Sequence, residues 1–174
     1  METLNKTKTH AALFADKTSA EAAYNAAIQR GLLPENVNIV MSAATRKKYY
    51  PTTVVKTEAG DKSVEGLAVG GAVGGTVLGV IGAVVALSST IVVPGLGLVI
   101  AGPLAAGLIG AGAGSIAGGF VGALIGAGIP QEHAAIFENG VKKGDILISV
   151  TSDNLDDEDA LIADWKKFKA RDIF

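Results

Sequence analysis

The 174-residue sequence predicts an α+β fold: one small sheet domain, built from the two ends of the chain, interrupted by a helical hairpin. Three observations predict it. Apolar runs and helical periodicity follow the order strand, helix, strand near the N-terminus, and a similar order recurs near the C-terminus. Between them, residues 66–130 contain no Asp, Glu, Lys or Arg and hold 19 of the 23 glycines. Within that stretch Gly110, Gly114, Gly118, Gly122 and Gly126 recur at every fourth position, so a helix there carries a stripe almost without side chains.

The first half of the sheet domain begins with a short apolar run, residues 10–15, that reads as a buried strand. Thr18 and Glu21 then have the spacing of a capping box, and Ala20, Ala23, Tyr24, Ala27 and Ile28 form the apolar stripe of a helix that Gly31 stops. After a turn at Pro34, residues 37–41 (VNIVM) read as a second strand. Past the uncharged region, Pro130 suits the first position of a helix whose Ala134, Phe137 and Val141 face inward and which Gly144 ends. Ile146, Ile148 and Val150 alternate with Leu147 and Ser149 as in a strand. A last helix starts among Asp153, Asp156, Asp157, Glu158 and Asp159, buries Leu161, Trp165 and Phe168, and ends among Lys166, Lys167, Lys169 and Arg171, an order that matches the helix dipole. Residues 172–174 suffice for a short closing strand. Together these elements describe a ferredoxin-like split βαβ sandwich, with residues 1–62 as its first half, 129–174 as its second and 63–128 inserted between them.

Two helices fit the insertion, 63–87 and 103–127, joined by 88–102. Each is roughly 37 Å long, enough for a hydrocarbon core of about 30 Å. In water so many glycines oppose helix formation, each costing about 1 kcal/mol relative to alanine. Close backbone packing along small-residue rows offsets that cost. The first helix offers Gly66, Gly70 and Gly74 in one row and Gly71, Gly75 and Gly79 in another, and the second offers the five-glycine row. An antiparallel glycine-rich helical hairpin is therefore expected, with 88–102 at its far end. Lys56, Lys62, Lys142 and Lys143 flank its base, so the positive-inside rule places the sheet domain and both termini in the cytoplasm, beneath a bacterial inner membrane. A cytoplasmic homo-oligomer that buries the hairpins without lipid is the alternative.

Composition narrows the function classes. Residues 1–65 carry nine basic and seven acidic side chains, and residues 131–174 carry six and ten, so neither flank has the basic excess that phosphate contacts require and no nucleic-acid partner is expected. With no cysteine there are no disulfides, thiolate metal sites or thiol nucleophiles. The first ten residues are polar and do not resemble a signal peptide. The loose GxGxxA pattern at 112–117 follows no strand and lies inside the spacing-four glycines, which favours helix packing over a dinucleotide site. His10 and His133 are the only histidines and lie far apart, so no metal site is expected. Asp153–Asp157 lacks the turn glycine and final Glu of a calcium loop. No cofactor, small-molecule substrate or catalytic group follows from these patterns.

The run FADKTSAEAAYNAAIQRGLLPENVNIVMSAATRKKYY at 14–50 resembles the N-terminal unit of the heat-induced (general) stress protein YflT family, and the Gly-rich PGLG and AGPL segment through 150 looks like the second half of its longer members. The resemblance covers most of the chain. It implies a bacterial stress-associated protein with no assigned reaction, and it transfers no catalytic residues.

The expected functional residues are therefore surfaces. Gly70, Gly71, Gly74, Gly75, Gly79, Gly110, Gly114, Gly118, Gly122 and Gly126 are the helix-packing candidates, with other copies of the chain and the lipid bilayer as partners. Arg46, Lys47, Lys48, Tyr49 and Tyr50 form the basic-aromatic cluster, a solvated loop that is also a candidate contact for anionic headgroups. The expected function is non-enzymatic: a cytoplasmic domain whose glycine hairpin inserts in the membrane and self-associates during stress.

Overall fold

A computed structural model describes residues 8–50, 81–82, 90–93, 97–105, 119–152 and 158–174. Five strands are described: β1 (Lys8–Phe14), β2 (Val37–Ser42), β3 (Thr90–Val93), β4 (Leu98–Ala101) and β5 (Ile146–Ser152). The helices are α1 (Lys17–Gln29), α2 (Ala43–Tyr49), α3 (Gly119–Gly126), α4 (Gln131–Lys143) and α5 (Glu158–Lys167), with a 3-10 turn at Pro34–Asn36. The fold is α+β, as the sequence predicts. The sheet runs β1-β5-β2-β4-β3, every neighbouring pair antiparallel. Beyond β1 the chain's last residues extend the ladder: Ala11 and Phe174 exchange backbone hydrogen bonds at 3.0 and 2.9 Å, as do Leu13 and Arg171 at 2.9 and 2.8 Å.

Both faces of this sheet are covered, so its strands are apolar on both sides. The alternation in β5 decides which side chain serves which face: Ile146, Ile148 and Val150 enter one core and Leu147 the other. In the first core α1 and α5 pack Ala20, Ala23, Ala27, Leu161 and Trp165 over Phe14, Ile39 and Met41. Trp165 meets Phe14 edge-on at 5.9 Å and donates its indole N–H to Ala23 O at 3.2 Å, so its one polar atom is satisfied while the ring is buried. In the second core Phe120 and Leu124 of α3, Phe137 and Val141 of α4, and Leu104 pack over Leu13, Val40 and Ile100. Gly140 lets α4 approach the sheet, because a Cβ there overlaps the end of the Leu13 side chain.

Local signals explain most boundaries. Asp16, and not Thr18, caps α1: its carboxylate accepts from Ser19 N at 2.9 Å and from Ser19 Oγ at 3.0 Å, and an anion satisfies the helix start better than a hydroxyl does. Glu21, expected in a capping box, is half-buried beside Tyr50 instead. Gly144 closes α4 at φ 110, with Asp145 N bonded to Gly140 O at 3.0 Å.

Three expectations are corrected. Residues 43–49, read as a solvated loop, are helix α2, whose start Ser42 caps by accepting from Thr45 N at 3.0 Å. Segment 88–102, expected at the far end of a hairpin, contributes β3 and β4, which join the sheet through β2. The β-branched residues of β3 and β4 satisfy their backbone groups in a ladder, which an extended apolar connection does not. The helix expected over 103–127 does not run unbroken: α3 starts at Gly119, whose φ of 34 is left-handed and ends any right-handed helix arriving there. No helix among the described residues is long and apolar enough to cross a membrane.

Candidate functional site

Three places in the fold bear on function, and the first is α3. Phe120 and Leu124 anchor it in the second core, which turns Gly122 and Gly126 to the opposite side. Both glycines are exposed, and a Cβ built at either meets nothing within 4 Å among the described residues. Ile125 lies on the same exposed side, 44% accessible, and Ile136 on the neighbouring α4 is 43% accessible. The result is an uncharged ridge of bare backbone flanked by isoleucines. Gly70, Gly71, Gly74, Gly75, Gly79, Gly110, Gly114 and Gly118 lie outside the described residues.

The second place is the basic-aromatic cluster, which α2 divides into two parts. Lys47 and Lys48 are exposed, Arg46 and Tyr49 half-buried, and Tyr50 is 3% exposed in the first core. Tyr50 is thus a core residue and not a surface contact. Lys17 Nζ stands 5.1 Å from the centre of its ring, and its phenol is pushed well above the ordinary tyrosine range by burial, with the Glu21 charge adding to the shift. Burial also raises Glu21, against a weaker opposing effect of Lys17, whose ammonium is 3.9 Å from Glu21 Oε1. The Tyr50 hydroxyl and Arg46 Nε are buried without a hydrogen-bond partner among the described residues.

The third place unites the two histidines. His10 Nδ1 lies 3.2 Å from Phe174 O, and its Nε2 is 2.9 Å from Glu158 Oε1. The His133 ring packs at a tilt against the Phe174 ring at 5.1 Å and against Phe137 at 6.3 Å. Sequence separation concealed this meeting, since only the pairing of the last residues with β1 creates it. Lys8 Nζ completes the group, 2.6 Å from Glu158 Oε2, and holds that carboxyl below its ordinary range through its hydrogen bond. The contacts of the two imidazoles among the described residues are thus a backbone carbonyl, two phenyl rings and a paired carboxylate. Among the described residues no cluster of three His, Cys, Asp or Glu side chains is arranged to hold a metal.

Buried polar side chains elsewhere serve the fold. Asn38 donates to Ser149 Oγ at 3.1 Å and accepts from Leu104 N at 2.7 Å, pinning the segment after β4 beneath the second core.

Comparison with protein-family models, with curated proteins and with solved structures finds no match to this chain.

Proposed function

We propose that this is a non-enzymatic, self-associating protein of the bacterial stress response, in which a ferredoxin-like core presents a glycine-rich, uncharged surface to other copies of the chain. The side-by-side placement of the closing segment, β1, β5 and β2 supports reading these strands as a split βαβ sandwich, with β4 and β3 lengthening the sheet on one side. The stress association rests on the family resemblance of residues 14–50 and of the Gly-rich half.

One observation carries self-association: Gly122 and Gly126 are held in a helix where an added Cβ at either meets no neighbouring group within 4 Å among the described residues. Two glycines in an exposed helix cost about 2 kcal/mol relative to alanine, a cost that close approach of a second backbone offsets. A twofold pair of such ridges is self-complementary, with each Ile125 beside the partner's bare backbone. The place of β3 and β4 in the sheet favours the soluble assembly over a hairpin that crosses a bilayer, because 88–102 at the far side of a membrane is incompatible with pairing to β2. A lipid surface is the second reading, favoured by the absence of charge over residues 66–130.

Light scattering on the full chain, with and without detergent, separates the two. A discrete oligomer independent of detergent supports self-association. A monomer in plain buffer overturns it, and a particle that needs detergent to remain in solution supports the lipid reading.

A further inference from the structure

The fold sorts charge along the strands. β1 ends where β5 begins, Phe14 opposite Ile146, and β2 runs toward the same end, Val40 opposite Leu147. Helices α4 and α5 both finish at that end of the sheet, and α2 starts there. Contacts between distant segments tie the place together. Thr45 of α2 donates to Gly144 O at 3.1 Å, Arg171 pairs with Asp145, and Lys169 stands close enough to Asp16 to act on its carboxylate. Consequently Arg46, Lys47 and Lys48 of α2, Lys142 and Lys143 of α4, and the basic end of α5 converge, although up to 121 residues separate them in the sequence. The opposite end of the sheet carries Glu35, Glu132, Glu158 and Asp159, with Lys8 neutralised on Glu158 at 2.6 Å.

Part of the convergence has a local cause. Lysines in the last turns of α4 and α5 complement the negative ends of those helix dipoles. That cause does not use up the charge. Lys47, Lys48, Lys143 and Lys166 are exposed, and among the described residues they have no anionic partner and the buried Arg46 Nε has no hydrogen-bond partner. Lys142, Lys167 and Arg171 at that end are paired with Glu138, Asp164 and Asp145, so the cations it offers to a partner are the unpaired lysines.

We propose that this basic end docks the protein on a membrane surface bearing anionic lipid headgroups. Headgroup phosphates match exposed ammonium groups that extend from short helix ends, and the half-buried Tyr49, beside Lys48 at 4.7 Å, has the amphipathic character of an interfacial side chain. The chain leaves Tyr50 at the foot of this surface and enters its uncharged stretch 16 residues later. Nucleic acid suits the surface less well: the cations gather on one compact end, whereas a duplex asks for contacts distributed along a groove or backbone. Docking here is independent of the glycine ridge, since Gly126 and Gly128 lie toward the other end, where Thr9 Oγ1 donates to Ala127 O at 2.8 Å.

The test is flotation of the full chain with phosphatidylcholine vesicles, with and without phosphatidylglycerol, at low and high salt. The native chain floats with the anionic vesicles at low salt and is released at high salt. Each lysine contributes about fivefold to partitioning, so the variant Lys47→Gln, Lys48→Gln, Lys143→Gln loses about a hundredfold, with an unchanged thermal midpoint and unchanged oligomer size. Lys8→Gln, at the other end, keeps native partitioning. Equal flotation with neutral vesicles, native partitioning by the triple variant, or tighter binding to a duplex oligonucleotide than to anionic vesicles overturns the proposal.

Discussion

His10 and Phe174 stand 164 residues apart and meet at 3.2 Å, imidazole Nδ1 to backbone carbonyl, while Phe174 also exchanges backbone hydrogen bonds with the adjoining Ala11. The side chain thus ties the closing segment to β1 and, through Glu158, to the start of α5. Replacing His10 by Ala leaves the Phe174 carbonyl and Glu158 with one partner fewer, at a cost of about 1–3 kcal/mol. Hydrogen exchange at the Phe174 and Arg171 amides is expected to accelerate more than at the α1 amides. Uniform acceleration in both places would show that the latch is not local.

The pH dependence follows from Asp164 and Glu158. Asp164 is held below the ordinary carboxylate range by hydrogen bonds from Arg30 first and Lys167 second, and Glu158 by its hydrogen bond from Lys8 first. Folded values below the unfolded ones mean that the stability these groups add is present above about pH 4 and is lost as pH falls through the folded values. Glu21 has the opposite sign: burial raises it, so its contribution is present below its unfolded value and is lost as pH rises through the folded one. Urea midpoints are expected to fall on acidification, less steeply in Asp164→Asn, and Glu21→Gln is expected to raise the midpoint at neutral pH.

Gly102 and Gly31 both have positive φ, 103 and 86, yet their substitution by Ala separates two costs. At Gly31 nothing among the described residues lies within 4 Å of the new Cβ, so only the left-handed backbone is penalised, by about 1 kcal/mol. At Gly102 the Cβ also meets Val37 O at 2.5 Å and the Asn38 backbone at 3.0 Å, and about 3 kcal/mol is expected. Chemical denaturation of the two variants measures the difference, and similar losses would contradict the close approach of the β4 end to β2.

Much of the sheet domain is legible in the sequence because its signals are local. Gly31 and Gly144 stop helices at the residues expected of them, the β5 alternation sorts into two cores, and Leu161 and Trp165 are buried as their spacing requires. The misreadings arise where regional composition masks a local signal. Residues 90–101 lie in a charge-free, glycine-rich context that matches a membrane hairpin, and that context outweighs a local strand signal, the β-branched Thr90–Val93 before a Pro-Gly dipeptide. Ser42 as the cap of α2 was hidden by the basic run that follows it. The basic end of the molecule has no sequence signature, since it arises from strand order, and neither does the meeting of His10 with His133 around Phe174.

Self-association through the α3 ridge is tested most directly by light scattering on the Gly122→Leu, Gly126→Leu variant beside the native chain in detergent-free buffer. Both positions are helical and open among the described residues, so leucine is expected to fit each monomer and to favour the helix by about 1 kcal/mol per site. The native chain is expected as a discrete oligomer, and the variant as a smaller species with an undiminished far-UV helical signal. A native monomer, or a variant of native size, would contradict packing along the glycine ridge.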